Sequence, residues 1–260
     1  MLQTGQTFKQ QAAAGGGGPN TNGPAGTDAT EWEDWLYAND DANITESSGE
    51  VSQWDGPNSV ISAVASGSAR PDVMTDGGSE WNNAQVIDFN GSAEWLDVGS
   101  QSIGACDLFA EAGAAETIIL AIRNNTASAD GTFLSKAGSS SGTRTFQIGS
   151  SSNGNFFSII RGSMTNIVSR DANAHIFVFV IDGATVDAYV DGGSAISCGV
   201  GTAAEESRNI NIGARTDGSF TQDGETYFIG FRAEIASASL INDVCNDLAS
   251  DIGTTWTDIS

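Results

Sequence analysis

The chain has 260 residues and carries 33 acidic against 10 basic side chains, a formal net charge of -23. A protein that grips a phosphate backbone must neutralise it with Lys and Arg, so nucleic acid is excluded as a direct partner, and an anionic membrane surface is disfavoured on the same ground. No apolar run approaches the ~20 residues that span a bilayer, and the first residues lack the basic-then-apolar order of a signal peptide, so no membrane segment or secretion signal is expected.

Residues 1 to 30 stand apart in composition: Gln, Thr and Ala, then Gly15 to Gly18, Pro19, Asn20, Gly23 and Pro24, with Leu2 and Phe8 the large apolar side chains after Met1. Such a stretch buries too little surface to offset its backbone entropy, so it is read as a glycine-rich arm, either flexible or ordered by a partner. The texture changes at Glu31, where Trp32, Trp35, Leu36 and Tyr37 bunch together and Trp54 follows as a core anchor. Short strands are expected at Ser59–Ile61, Gln85–Phe89 and Trp95–Leu96, and the run Glu116–Arg123 reads as a central strand buried on both faces.

Further strands are expected near Thr132–Leu134, Thr143–Ile148, Phe156–Ile160 and Met164–Val168, separated by clusters of Gly, Ser and Asn. The stretch Ile176 to Val190 holds two apolar runs around Asp182-Gly183, with a second pair, Asp191-Gly192, closing it. Each Asp-Gly pair is a hairpin signal, because glycine takes positive φ without a Cβ clash. Strands at Ile210–Ala214 and Tyr227–Ile235 precede one helix, with Ser239 as its N-cap, Leu240, Val244 and Leu248 on one stripe beside Ile241 and Cys245, and Gly253 after its end. Short strands at this density, with 32 glycines where a usual level of about 7 per cent would give roughly 18, predict an all-β sandwich or barrel.

The pieces Trp35-Leu36, Val51–Asp55, Arg70-Pro71, Val86–Gly91 with Leu96, the Ile176–Val190 hairpin, Asn211–Ala214 and Phe228–Ile235 resemble, in order and spacing, the laminin-G-like branch of the concanavalin A-like lectin and glucanase sandwiches. The resemblance spans about residues 31 to 257. It implies an all-β, two-sheet antiparallel jelly-roll sandwich over residues 31–260 with one short C-terminal helix, carried on the extended arm 1–30. It also implies a carbohydrate- or protein-binding module, sometimes calcium-dependent, of a kind found in adhesins and phage virion proteins. Gly230 is then expected to permit a close backbone approach, and Glu234 to bond neighbouring backbone.

Catalytic chemistry finds little purchase. The Glu-x-Asp-x-x-Glu strand pattern of the glucanase relatives is missing; the nearest acids, Glu31, Glu33 and Asp34, have other spacing, and Glu205-Glu206 reads as loop. His175 is the single histidine, without a Gly-x-Ser-x-Gly elbow, and is read as opening a strand. Three cysteines, Cys106, Cys198 and Cys245, are too scattered for a disulfide framework or paired zinc ligands and are read as buried thiols. Calcium is the one cofactor with a case: Asp130, Asp217 and Asp223 stand at expected loop tips that would meet at one rim, and Asn39, Asp41 and Asn43 alternate oxygens. The alternative is solvated loop acids, and it gains from a departure from the resemblance, since calcium-binding laminin-G domains tend to open with an aspartate the strand that corresponds to Arg144–Phe146, where this chain has no acid. For sugar stacking, Trp81 and Phe220 are the candidate exposed rings, with core edges as the alternative.

The expectation is therefore a non-enzymatic structural or binding protein of a tailed-phage virion, as head decoration or tail-fibre-type protein, made in the host cytoplasm. Its partners would be other virion proteins docked through Leu2, Phe8 and Lys9, a host surface glycan, and copies of itself in a homo-oligomer. A polysaccharide-degrading enzyme on the same fold and a bacterial adhesin module are the alternatives.

Overall fold

A computed structural model describes residues 23–27, 31–65, 70–99, 102–103, 106–107, 115–125, 131–137, 144–151, 156–161, 163–183, 185–198, 209–215, 218 and 220–260. The first part runs β1 (Asp34–Tyr37), β2 (Ile44–Ser47), β3 (Glu50–Asp55), β4 (Ser62–Ala65), β5 (Asp72–Met74), β6 (Val86–Asn90) and β7 (Leu96–Gly99). A two-strand ribbon, β8 (Ser102–Ile103) and β9 (Cys106–Asp107), precedes β10 (Ala115–Asn124), β11 (Gly131–Ala137), β12 (Arg144–Ser151), β13 (Phe156–Arg161) and β14 (Ser163–Ser169). The last part holds β15 (His175–Asp182), β16 (Thr185–Val190), β17 (Ile196–Cys198), β18 (Ile210–Ile212), β19 (Asp223–Arg232) and the helix α1 (Ala238–Ile252).

Pairing is antiparallel throughout the named strands and resolves into two sheets. One runs β17–β16–β15–β10–β19, with β1 and β6 sharing the far side of β19 at its two ends and β5 beside β6. The other runs β14–β13–β12–β11–β18–β7–β4. Strand β3 joins them, pairing with β5 through Glu50 and with β4 through Gln53–Asp55, so one side of the sandwich is laced shut. The sheets meet face to face at Phe157 of β13 and Phe177 of β15, whose ring centroids are 5.1 Å apart, with the Phe133 ring of β11 tilted against Phe157 at 6.1 Å. This is the all-β sandwich expected from the strand spacing, with the two antiparallel sheets that the resemblance implied.

A strand with one wet face alternates polar and apolar side chains, whereas Glu116 to Ala121 are buried without a break. The inner face of β10 meets the opposite sheet, and α1 covers this sheet from outside, resting on β15 with Ile241, Val244, Cys245, Leu248, Ala249 and Ile252 buried. The helix N-cap is Ser237, not Ser239: its side chain accepts from Leu240 N–H at 3.2 Å, three residues on, while Ser239 already lies inside the first turn. Gly253 ends the helix at φ 73°, as its position foretold. Beyond it, the tail folds back so that Trp256 and Ile259 are buried and Thr257 bonds Asp191 and Gly193 on the turn after β16.

Residues 23–27 pack on this body. Ala25 N–H donates to Asp247 of α1 at 2.7 Å, and a side chain on Gly23 would strike the Trp35 indole. Leu2, Phe8 and Lys9 lie outside the described residues.

The strand expected at Ser59–Ile61 starts instead at Ser62, because the preceding residues are bound elsewhere. The Asp34 carboxylate, 0 % exposed on β1, accepts from the backbone N–H of Asn58, Val60 and Ile61 as well as its own neighbour Trp35. Gly56 is required beneath it, since a Cβ there would sit 2.1 Å from the carboxylate. Burial raises the Asp34 pKa even though the four backbone bonds favour the ion. Asp34→Ala strands those N–H groups in the core and is expected to cost about 3–5 kcal/mol of unfolding free energy, measured by urea titration; Asp34→Asn, which keeps an acceptor, should cost less. A loss under 1 kcal/mol would show that the turn does not depend on this carboxylate.

Candidate functional site: an aromatic platform at the sandwich rim

The loop from Gly213 to Gln222 is closed at its base by Gln222 N–H on the Gly213 carbonyl at 2.7 Å. Gly213 takes φ 85° where the chain leaves β18, and the Phe89 ring occupies the space a Cβ would need, so both backbone and packing require glycine there. Arg215 comes next and is buried, its Nε donating to Gln147 of β12 at 3.2 Å, while Gln147 in turn donates to Thr132 of β11 at 2.9 Å. The Phe220 ring lies on this guanidinium, with Cζ of Arg215 3.6 Å from the ring centroid. One face of the ring is therefore fixed against a buried cation, and the residue is still 49 % exposed.

The backbone of Phe220 sits at φ 53°. Among the described residues the other non-glycine positions with positive φ are Ser, Asn or Asp, which tolerate that region; a bulky aromatic there is strained. Such strain persists where surrounding structure over-determines the conformation, and it clusters at binding sites. Here the restraints are the Arg215 stack, the Gln222 bond and the neighbouring Thr221 hydroxyl, which donates to the Gly91 carbonyl across the rim. Trp95, partly exposed, brings its ring edge against Gly218 of the same loop. Of the two candidate rings, Phe220 is the exposed one. Arg215 and Trp95 escaped notice; the signal was an arginine five positions before an aromatic in a glycine-bearing loop.

Trp81 does not belong to this site and is corrected: it is 0 % exposed. Its short 3-10 turn, Ser79–Trp81, is flanked by Gly78 at φ 76° and Asn82 at φ 51°, which fold the indole inward. There Nε1 donates to Glu225 at 2.6 Å and the ring packs on Tyr227. Glu234 and Gly230 also differ from expectation. The Glu234 carboxylate pairs with Arg232 at 3.1 Å, and it is Glu33 that accepts a backbone bond, from Ala233 at 2.6 Å. Gly230 makes room for the rings of Phe228 and Trp32 rather than for backbone.

Of the calcium candidates, Asp130 and Asp217 lie outside the described residues. Asp223 opens β19, and its carbonyl accepts from Asn125 N–H at 3.0 Å. Asn39 and Asp41 turn their side-chain oxygens to donors of Gln85, and Asn43 spends its amide N–H on the Asp40 carboxylate. Among the described residues no group of His, Cys, Asp and Glu is placed to hold a metal ion.

Acids from distant strands do come together elsewhere on the sheet. Cross-strand register places Glu50, Asp72, Asp88, Glu225 and Arg123 in one row across β3, β5, β6, β19 and β10. Asp88 is raised by burial, eased by a bond from Asn125, and pushed further by Glu225, Asp72 and Asp223. Glu225 is buried, its Oε2 taken by Trp81 Nε1 and by Arg123 Nη1 at 2.8 Å.

His175 opens β15, with Nδ1 on Asp191 at 2.7 Å and Nε2 on Asp171 at 2.9 Å. Burial works to lower its pKa, and the two carboxylates outweigh burial and raise it above 6.5. Both nitrogens are engaged, which suits an imidazolium that ties two turns together and leaves no free lone pair for a base. Because the folded-state value exceeds the unfolded one, this bridge stabilises fully below about pH 6.5 and its contribution disappears as pH rises through the folded-state value. Unfolding free energy is expected to fall between pH 6 and 9 in the parent and to be flatter in His175→Gln; equal slopes by urea titration would remove the bridge from the account.

No protein-family model matches the chain, and no curated protein sequence matches it. Solved structures do. Trypanosoma rangeli sialidase in complex with 2,3-difluorosialic acid superposes with a TM-score of 0.56 at 14% identity, over 85% of this chain and 33% of the sialidase. A mutant of that sialidase displaying trans-sialidase activity gives 0.58 at 12% identity, over 88% and 34%. The botulinum neurotoxin serotype D/C binding domain gives 0.54 at 12% identity, over 84% of this chain and 52% of that one. At such identities the likeness is one of fold, and the chain spans about a third of the sialidase length.

Proposed function

We propose that this protein is a non-enzymatic binding module of the laminin-G-like, concanavalin A-like kind, which presents the Phe220 platform to a glycan. The observation that carries the reading is a half-exposed aromatic held in a strained backbone conformation and stacked on a buried arginine. A ring fixed in this way loses little freedom when a pyranose face settles on it, which favours binding. The resemblance in fold to a neurotoxin binding domain and to a stretch of sialidases is in keeping with this role. Phe220→Ala is expected to weaken binding to a responsive oligosaccharide about tenfold or more on a glycan array while shifting Tm by no more than a few degrees, because the ring contributes little core area. Undiminished binding in the variant would remove Phe220 from the site.

The wider setting we propose is the virion of a tailed phage, with the module serving as a decoration or tail-fibre-type protein and docking through the arm that carries Leu2, Phe8 and Lys9. A glycine-rich leading segment joined to a strongly acidic domain supports that reading. Deleting residues 2–22, which precede the packed stretch 23–27, should leave Tm unchanged and abolish incorporation into particles. Normal incorporation would place the docking surface elsewhere. Calcium, a homo-oligomeric state and an adhesin setting remain secondary proposals.

One observation favours a second reading, a polysaccharide-cleaving enzyme. Asp88 and Glu225 are register neighbours, and Asp88 is raised toward the protonated form a general acid needs. Against it, Glu225 is buried and already serves Trp81 and Arg123. Release of reducing ends from a polysaccharide panel, lost in Asp88→Asn, would establish the enzyme over the binding module.

A further inference from the structure

Resting on the glycan-binding reading, we infer that Trp95 is a second stacking ring beside Phe220, and that the ligand is an oligosaccharide whose neighbouring units engage both rings. All six tryptophans lie among the described residues. Trp32, Trp35, Trp54, Trp81 and Trp256 are buried, and Trp95 alone is partly exposed. An indole offers a sugar a large flat face, and this is the one position where the chain leaves one within reach of solvent.

Local structure fixes where that ring stands. Glu94 accepts from the Asn90 N–H at 2.7 Å and from the Asn90 side-chain amide, which closes the turn between β6 and β7 just before Trp95. Leu96 pairs with Ile212 and Asp97 with Asn211, so the antiparallel register carries Trp95 opposite Gly213, the root of the loop that holds Phe220. The outer end of the indole then reaches Gly218, where Cη2, Cζ3 and Cζ2 lie 3.3, 3.5 and 3.6 Å from the place a Cβ would take. Three such similar distances put that place above the outer end of the ring, so the loop backs one indole face as Arg215 backs one face of Phe220.

The two rings share one turn. Gly218 N–H donates to the Arg215 carbonyl at 2.8 Å, and Arg215 in turn carries the Phe220 ring. Gly218 and Phe220 are two positions apart, at most about 7 Å between their Cα atoms. A second tie, from the Thr221 hydroxyl to the Gly91 carbonyl, joins this loop to the turn before Trp95. Adjacent units of a sugar chain can stack on two rings held by one frame, whereas a single sugar covers one of them.

Acrylamide quenching of tryptophan fluorescence reads Trp95 directly, because the other five indoles are buried. Cello-, chito- and malto-oligosaccharides, and any glycan the array detects, are titrated into the full chain as ladders from the single sugar upward. Longer members should shield the quenchable fraction and bind about five- to tenfold more tightly than the single sugar, which is what one further stacked ring returns. The single sugar should bind without shielding. Trp95→Ala should bring longer members back to the single-sugar affinity and leave the single sugar unchanged, while Trp95→Phe should keep most of the length dependence. Affinity that is flat with length, or long members bound with the quenchable fraction still open, overturns the two-ring site and leaves the glycan-binding reading standing. An equal loss at every length in Trp95→Ala also overturns it, since that ring would then only support the loop. Should Trp95→Ala fail to fold, the quenching titration of the parent decides alone. Binding to no member of any ladder overturns both readings.

Discussion

The placement of β10 between β15 and β19 is the constraint on which the fold depends. Its residues pair along nearly the whole strand with His175–Asp182 on one side and Gly224–Arg232 on the other. A segment that is apolar on both faces has no stable position at an edge, where its open ladder would invite association. Everything outside this triplet works to cover it, with the second sheet below and α1 above. The rim loops owe their positions to the same arrangement, because β19 begins at the segment that carries Thr221 and Gln222, and β18 leads into Gly213.

Much of this could be read from the chain. The run around Glu116–Arg123 announces a doubly buried strand by its length and its β-branched content, and Asp182-Gly183 announces the hairpin into β16, with Gly183 at φ 54°. What escaped was whatever depends on distant partners. Asp34 looks like one acid among several near Trp35, and its role as the anchor of Asn58, Val60 and Ile61 arises from residues 24 to 27 positions away. Trp81 and Phe220 read alike as aromatics in polar, glycine-bearing loops. Their opposite fates follow from Glu225, 144 positions beyond Trp81, and from the Arg215 stack under Phe220. Local pattern reports which rings stand in loops, and tertiary partners decide which of those rings face water.

The acidic excess is distributed rather than wasted on solvent alone. Asp34 fastens a turn, Asp191 and Asp171 hold His175, Glu33 caps the end of β19 at Ala233, and Asp251 accepts from the hydroxyls of Tyr37 and Tyr227. Carboxylates here do much of the work of joining loops to strands that Lys and Arg share in more balanced proteins. They suit it, since one ionised group accepts several backbone N–H bonds.

The backbone at Phe220 carries a consequence for laboratory evolution. Left-handed φ on a bulky side chain costs about 1–2 kcal/mol, whereas a cation–π contact at a partly exposed position returns about 0.5–1 kcal/mol. Glycine or asparagine at 220 would relax that cost and lose only the smaller gain. A campaign that ranks variants by heat tolerance alone would therefore drift toward those residues, and its winners would be sturdier molecules with a blank rim.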